Sequence, residues 1–272
     1  MLDVAINAAK EAGAFLKEHV GRVRTIETKK GEERNLVSEI DRGSEERIIR
    51  VIRSRFPSHA ILAEESGGSS GSAEYRWIID PLDGTTNYLH GLPVFSVTIA
   101  IERKGEIVAG VVYDPNLDEL FTAERGAGAY LNGSRLAVSR ASRLINSLLI
   151  TGFPYDIALN PDHAAEHFAN FLMVAGGIRR LGSAALDLSY IAAGRGDGFW
   201  EVNLHPWDMA AGVLFIREAG GIVTDFSGAP SSIYTKQVAA SNGMIHEAML
   251  EILKKPYGSS GVTPTSPHPR SQ

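Results

Sequence analysis

The sequence predicts an α/β protein, of the α+β kind in its first half, and three observations carry that expectation. Residues 93–137 read as a β-rich meander, residues 147–254 alternate between helical and strand periodicity, and short apolar runs at 60–63 and 77–79 each end in carboxylates.

Taken in order, residues 1–20 space Leu2, Ile6, Ala9, Leu16 and Val20 along one face, with Asp3, Lys10, Glu11, Lys17 and Glu18 opposite, which predicts an amphipathic helix. A second helix is expected over 44–55, burying Ile48, Val51 and Ile52, and Pro57 stops it. Strands are expected at 60–63 and 77–79, separated by a Gly/Ser loop at 67–72. The meander follows: strands at 95–102, 107–113 and 119–123, a turn at 103–106, and a hairpin signal at Asn132-Gly133. After an apolar run at 147–153, helices are expected at 162–174, 184–193, 207–219 and 246–254, with strands at 178–181, 198–202, 221–225 and 238–241. Residues 256–272 carry too few apolar side chains to offset their own ordering, and are expected to form a flexible tail.

Composition narrows the chemistry. The absence of cysteine excludes disulfides, thiolate metal sites and a cysteine nucleophile, so any metal must sit on oxygen or imidazole. A net charge of -5 gives no global basic field, and no nucleic-acid partner is expected. The best membrane candidate, 94–101, is interrupted by Ser96 and Thr98 and falls short of the roughly 18 apolar residues a span needs. Asp3, Glu11 and Glu18 break any leader-like apolar centre at the start, which points to the cytoplasm.

The most informative segment is Trp77-Ile-Ile-Asp80-Pro81-Leu82-Asp83-Gly84-Thr85-Thr86-Asn87. Its acids begin where a buried strand should end, the place at which an open α/β sheet presents ligands. Pro81 keeps Asp80 extended and Gly84 permits a sharp turn, so both carboxylates and the Leu82 carbonyl can converge as oxygen ligands for a hard cation. Amides at the start of a helix from Thr85 would hold an anion at the same point. Alone, Asp-x-x-Asp reads as an Asx turn. Other acids at matching element ends argue for more: Glu64 and Glu65 after the strand at 61–63, and Asp208 after His205-Pro206-Trp207. In isolation Asp208 and Asp41 are helix caps, Glu201 an exposed edge residue, His90 and His205 surface or packing residues, and Arg179-Arg180 a solvated edge pair rather than a site for the second phosphate of a bisphosphate.

These residues carry a resemblance. Ile61-Leu-Ala-Glu-Glu-Ser66, the segment 77–87, Arg180-Leu-Gly-Ser-Ala-Ala-Leu-Asp-Leu188, and Trp207-Asp208 with Glu218-Ala-Gly-Gly221 together resemble the inositol monophosphatase family of magnesium-dependent, lithium-sensitive phosphatases, over residues 1–255. The resemblance implies a layered αβαβα sandwich, a single phosphatase domain at 1–255 with halves at about 1–140 and 141–255, a homodimer, and a small phosphorylated polyol or sugar as substrate. It implies that Glu64, Asp80 and the Leu82 carbonyl bind a first magnesium, and that Asp80, Asp83 and Asp208 bind a second, with manganese as a substitute. Asp41 and Thr85 would orient and deprotonate the attacking water, with Glu64 counted among the catalytic groups. The phosphate would meet the amides of Gly84 and Thr85 beside Leu82, Asp83 and Asp208, and the alcohol would meet Gly182, Ser183, Ala184 and Glu201. A third ion would need a lysine upstream of Asp41, for which Lys29 and Lys30 both stand in range. Ala63 replaces a glycine common in the family.

Fructose-1,6-bisphosphatases, histidinol-phosphate phosphatases and phosphatases of 3'-phosphoadenosine nucleotides share such a core, and Thr86-Asn87 favours the inositol branch. Two rivals differ in kind. A haloacid-dehalogenase loop would need Asp-x-Asp, whereas these acids stand three apart around Pro81. A non-catalytic scaffold or regulatory binder would need none of the acids.

Overall fold

The computed structural model describes residues 1–23, 25–29, 32–68 and 73–255, with side chains described at all of these but 29 and 32–35. The expected tail, most of the Gly/Ser loop and the lysine pair at 29–30 therefore lie outside the described residues, for Lys29 at the side chain alone.

Helices α1 (Leu2–His19) and α2 (Glu39–Arg55) flank a hairpin of β1 (Ile26–Lys29) and β2 (Glu32–Ser38). An eight-stranded sheet follows, built from β3 (Ala60–Ala63), β4 (Gly67–Gly68), β5 (Tyr75–Asp83), β6 (Ser96–Arg103), β7 (Glu106–Asp114), β8 (Glu119–Glu124), β9 (Gly128–Leu131) and β10 (Ser134–Arg135), with the short α3 (Thr85–Leu89) after β5. Its order is β10-β9-β8-β7-β6-β5-β3-β4. All its neighbours run antiparallel except β3 and β5, which run parallel and so end on the same side. The second sheet has five strands in the order β12-β11-β13-β15-β14. These are β11 (Leu148–Thr151), β12 (Gly177–Arg179), β13 (Gly198–Val202), β14 (Ile222–Thr224) and β15 (Gln237–Ser241), with α4 (Ala164–Leu172), α5 (Ala184–Ala192), α6 (Pro206–Glu218) and α7 (His246–Leu253).

Strand alternation sorts these elements into five layers. Trp77 and Ile79 of β5, Val97, Ile99 and Ile101 of β6, and Val111 of β7 pack with Ala5, Ala8, Ala12, Leu16, Ile48 and Ile52 of α1 and α2. Their neighbours Ile78, Ala100 and Val112 point to the other face and pack with α5 and α6, as do Phe199, Val238 and Ala240 from the second sheet. The outer face of that second sheet, through Leu149, Trp200, Val202 and Ala239, covers Phe171 of α4 and Met249 and Leu250 of α7. The order is thus helix, sheet, helix, sheet, helix, the αβαβα sandwich expected. Strands buried on both faces explain why 77–79 and 99–101 read as unbroken apolar runs. The middle helix layer is tight: a Cβ on Gly212 of α6 would lie 2.4 Å from the Leu188 Cβ of α5.

Several boundaries differ from expectation. Helix α2 begins at Glu39 rather than at 44, because Ser38 caps it: its Oγ accepts from the Ile40 amide at 3.1 Å while Asp41 accepts from the Ser38 amide at 2.8 Å. Asp41 is therefore buried in the first turn, not the cap ahead of it. Strand β5 runs on to Asp83, its register with β6 broken between Asp80 and Asp83, so the acids sit within an irregular strand end. Residues 67–68 pair with β3 instead of forming loop, and α4 starts at Ala164, not at 162, where Asp162 and His163 have positive φ. Glu201 lies inside β13 and is buried, not an exposed edge residue.

Candidate active site

The parallel pair β3 and β5 brings Glu64 beside the irregular end of β5, and the Glu64 amide donates to the Ile79 carbonyl at 3.1 Å. Helix α2 pins this end: Ser44 Oγ donates to the Pro81 carbonyl at 2.8 Å, and the buried Glu45 carboxylate accepts from the amides of Glu65 and Ser66 at 2.9 Å each. Asp80 turns back so that its Oδ1 accepts from the Leu82 amide at 2.9 Å. Gly84 then adopts φ +94, and a Cβ there would stand 2.9 Å from the Val94 carbonyl oxygen, so the turn into α3 needs glycine.

Helix α3 is tied across the molecule by Asn87, whose Nδ2 donates to the Val94 and Leu181 carbonyls at 2.8 Å each. The first-turn amides of Thr85 and Thr86 have no carbonyl one turn back and are open to an anion. Thr85 Oγ1 lies 3.0 Å from both Asp41 Oδ1 and the Leu82 carbonyl. Asp41 is held from its other side by Ser38, at 2.6 Å from the hydroxyl and 2.8 Å from the amide. Ser183, the cap of α5, donates to Asp83 Oδ2 at 2.5 Å, and the Ala185 amide donates to the same oxygen at 2.8 Å. Asp208, in the first turn of α6, accepts from the His205 amide at 2.7 Å. The His205 ring stacks on Trp207 with centroids 4.8 Å apart.

Glu64, Asp80, Leu82, Asp83, Gly84, Thr85, Gly182, Ser183, Ala184, Glu201 and Asp208 all line one cavity of about 460 Å³, within the usual range for small-molecule sites. Asp41 stands behind it, reaching it through Thr85. Arg179 and Arg180 are both exposed at the edge strand β12, as the solvated-pair reading expects, and Arg180 also lines the cavity. Sequence reasoning missed Asp187, Tyr155 and Lys236 on the wall and Ser38, Ser44 and Glu45 behind it.

The electrostatics are those of a buried, self-repelling acid cluster. Burial pushes Asp80 well above the usual carboxylate range, reinforced by Glu64, Asp83 and Asp208. Burial raises Asp83 to about 7 against its bond from Ser183, and Glu201 to about 8, with Asp208 adding to the second. Burial also raises Asp41, opposed by its bonds from Ser38 and Thr85.

Among the described residues no three acidic or histidine side chains form a closed cage for an ion. The donor set nevertheless suits a hard divalent cation: carboxylates and a backbone carbonyl, no sulfur, and repulsion that positive charge would relieve. The sign with pH follows. A carboxyl whose pKa is higher folded than unfolded contributes stability at low pH that is lost as pH rises through the folded value. With Asp83 at about 7 and Glu201 at about 8, the chelated protein should melt several degrees lower at pH 8.5 than at pH 6, and magnesium should raise the melting temperature most at the upper pH. Calorimetric scans with EDTA and with Mg²⁺ check this, and a magnesium effect independent of pH would contradict it.

The family model described as the inositol monophosphatase family matches residues 1–256. An inositol-1-monophosphatase of Mesorhizobium japonicum is 44% identical over 95% of this chain and 98% of its own length. A protein of Pseudomonas aeruginosa named Nus factor SuhB is also 44% identical, over 93% of this chain and 96% of its own. The crystal structure of the extragenic suppressor protein suhB of Bartonella henselae superposes with a TM-score of 0.88 at 44% identity, covering 93% of this chain and 98% of that one.

Proposed function

The chain belongs to the inositol monophosphatase family, and from that premise we propose that it is a cation-dependent phosphomonoesterase acting on inositol 1-phosphate or a similar small polyol phosphate. The observation that carries the reading is the convergence of Glu64, Asp80, Asp83 and Asp208, from three separate elements, on one cavity that also holds Thr85. Glu64, Asp80 and the Leu82 carbonyl would hold one cation, and Asp80, Asp83 and Asp208 a second. Such ions supply Lewis-acid stabilisation to the attacking and departing oxygens of an in-line displacement.

The protein's own groups do the rest. Thr85 Oγ1 bridges the cavity to Asp41, so a water held by Thr85 can pass its proton along the hydroxyl to the Asp41 carboxylate. Ser38 holds Asp41 through two bonds, which fixes the direction in which its free edge faces Thr85. The amides of Gly84, Thr85 and Thr86 can receive the phosphoryl oxygens. Glu201, packed against Gly152 so closely that a Cβ there would come within 2.3 Å of its carboxyl oxygens, is positioned with Gly182, Ser183 and Ala184 for the alcohol. No aspartyl nucleophile is required.

The same reading carries magnesium as the working cation with manganese as substitute, inhibition by lithium, a cytoplasmic location and a homodimer. No helix among the described residues is long and apolar enough to cross a membrane. Phosphate release from inositol 1-phosphate, fructose 1,6-bisphosphate, histidinol phosphate and 3'-phosphoadenosine 5'-phosphate, with and without lithium, tests the reading. The expected result is lithium-sensitive turnover greatest on the inositol ester, and fructose bisphosphate as the best substrate would move the assignment to that branch. A relative named Nus factor keeps a second reading alive, a regulatory binder. Silence across the panel with every cation would favour it.

A further inference from the structure

We infer that Asp187 determines specificity for the alcohol part of the substrate, accepting a hydroxyl of a polyol phosphate at the α5 wall of the cavity. The inference rests on the phosphatase reading above and adds a residue to it.

Asp187 lies in the first turn of α5, its amide donating to the Ser183 carbonyl at 2.9 Å. It is 1% exposed, sits between the fully buried Leu186 and Leu188, and lines the cavity together with Gly182, Ser183, Ala184 and Glu201. Its Oδ1 is buried and has no hydrogen-bond partner among the described residues. Across the same cavity, Glu201 of β13 has Oε2 in the same condition. Buried carboxyl oxygens without a donor are rare and costly, and the fold gains no internal bond from this one.

A helix whose remaining eight residues are mostly apolar or small would be served better here by leucine, so the acid points to a donor that arrives from outside. Burial raises both acids above the usual carboxylate range, the Arg180 charge at the same cavity opposing that rise, and a carboxyl keeps an accepting oxygen whether or not it is ionised. Two acceptor carboxyls facing one space suit an alcohol with more than one hydroxyl and offer nothing to an apolar leaving group.

The test compares the full-length wild type with Asp187→Asn and Asp187→Leu in magnesium, using inositol 1-phosphate and the hydroxyl-free ester p-nitrophenyl phosphate. The expected result is that the ratio of kcat/KM for the inositol ester to that for the aryl ester falls about tenfold in Asp187→Asn, mainly through KM, and further in Asp187→Leu. The leucine variant should also melt at a higher temperature. An unchanged ratio, with both esters losing equally or neither losing, would overturn the inference and leave the phosphatase reading intact. If the wild type hydrolyses neither ester, that reading fails. Asp187 is then judged by calorimetric binding of inositol 1-phosphate in calcium, where about tenfold weaker binding by Asp187→Asn supports it, and equal affinity or no binding by the wild type overturns it.

Discussion

Asp83→Asn should lower magnesium-dependent turnover by roughly two to three orders of magnitude while leaving the fold intact. One oxygen of Asp83 already accepts from the Ser183 hydroxyl and the Ala185 amide, and an asparagine oxygen can keep both bonds at equal volume. The other position changes from an anionic acceptor to a neutral amide donor, which cannot ligate a cation. Because Asp83 and Asp208 each add to the repulsion in the cluster, the cation-free variant should melt no lower than the chelated wild type. Steady-state kinetics paired with melting curves check both halves. Near wild-type turnover would remove Asp83 from the cation site, and a collapsed fold would mean that its role is structural.

Thr85→Ala should reduce turnover about a hundredfold with little change in the magnesium concentration giving half-maximal rate. The hydroxyl has one proton and two acceptors at 3.0 Å, Asp41 Oδ1 and the Leu82 carbonyl, so it links Asp41 to the cavity. Its loss strands a buried carboxylate oxygen, at a cost of about 1–3 kcal/mol in stability. Thr85→Ser restores the hydroxyl and should recover most of the rate, which separates proton handling from packing. A large loss of magnesium affinity in Thr85→Ala would instead place the hydroxyl among the ligands.

Much of this site was legible in the sequence for a local reason. The strand ending in Asp80, the glycine turn and the helix start lie in eleven consecutive residues, 77–87, so spacing alone brings their groups together. Asp41 was harder. The capping pair Ser38 and Asp41 is a short signal inside a charged stretch, and between Ile40 and Ile48 the helix carries no apolar side chain that would show its period. The β1–β2 hairpin escaped because its residues, among them Glu27, Lys29, Glu32, Glu33 and Arg34, lack apolar alternation. Asp187 is out of reach for another reason: its meaning depends on which way α5 faces, and that is set by long-range packing between two sheets. The one available clue to Asp187 is an acid in the first turn of an otherwise largely apolar helix.

Four converging carboxylates, Asp80 and Asp83 buried and Glu64 and Asp208 half-buried, are the proposed cation-dependent site of phosphate ester hydrolysis. Its most direct test is phosphate release from inositol 1-phosphate by protein stripped with EDTA, followed as magnesium is titrated back. The account predicts no detectable turnover when stripped and a saturable recovery, absent in Asp83→Asn. Turnover that survives chelation, or recovery undiminished in that variant, would contradict it.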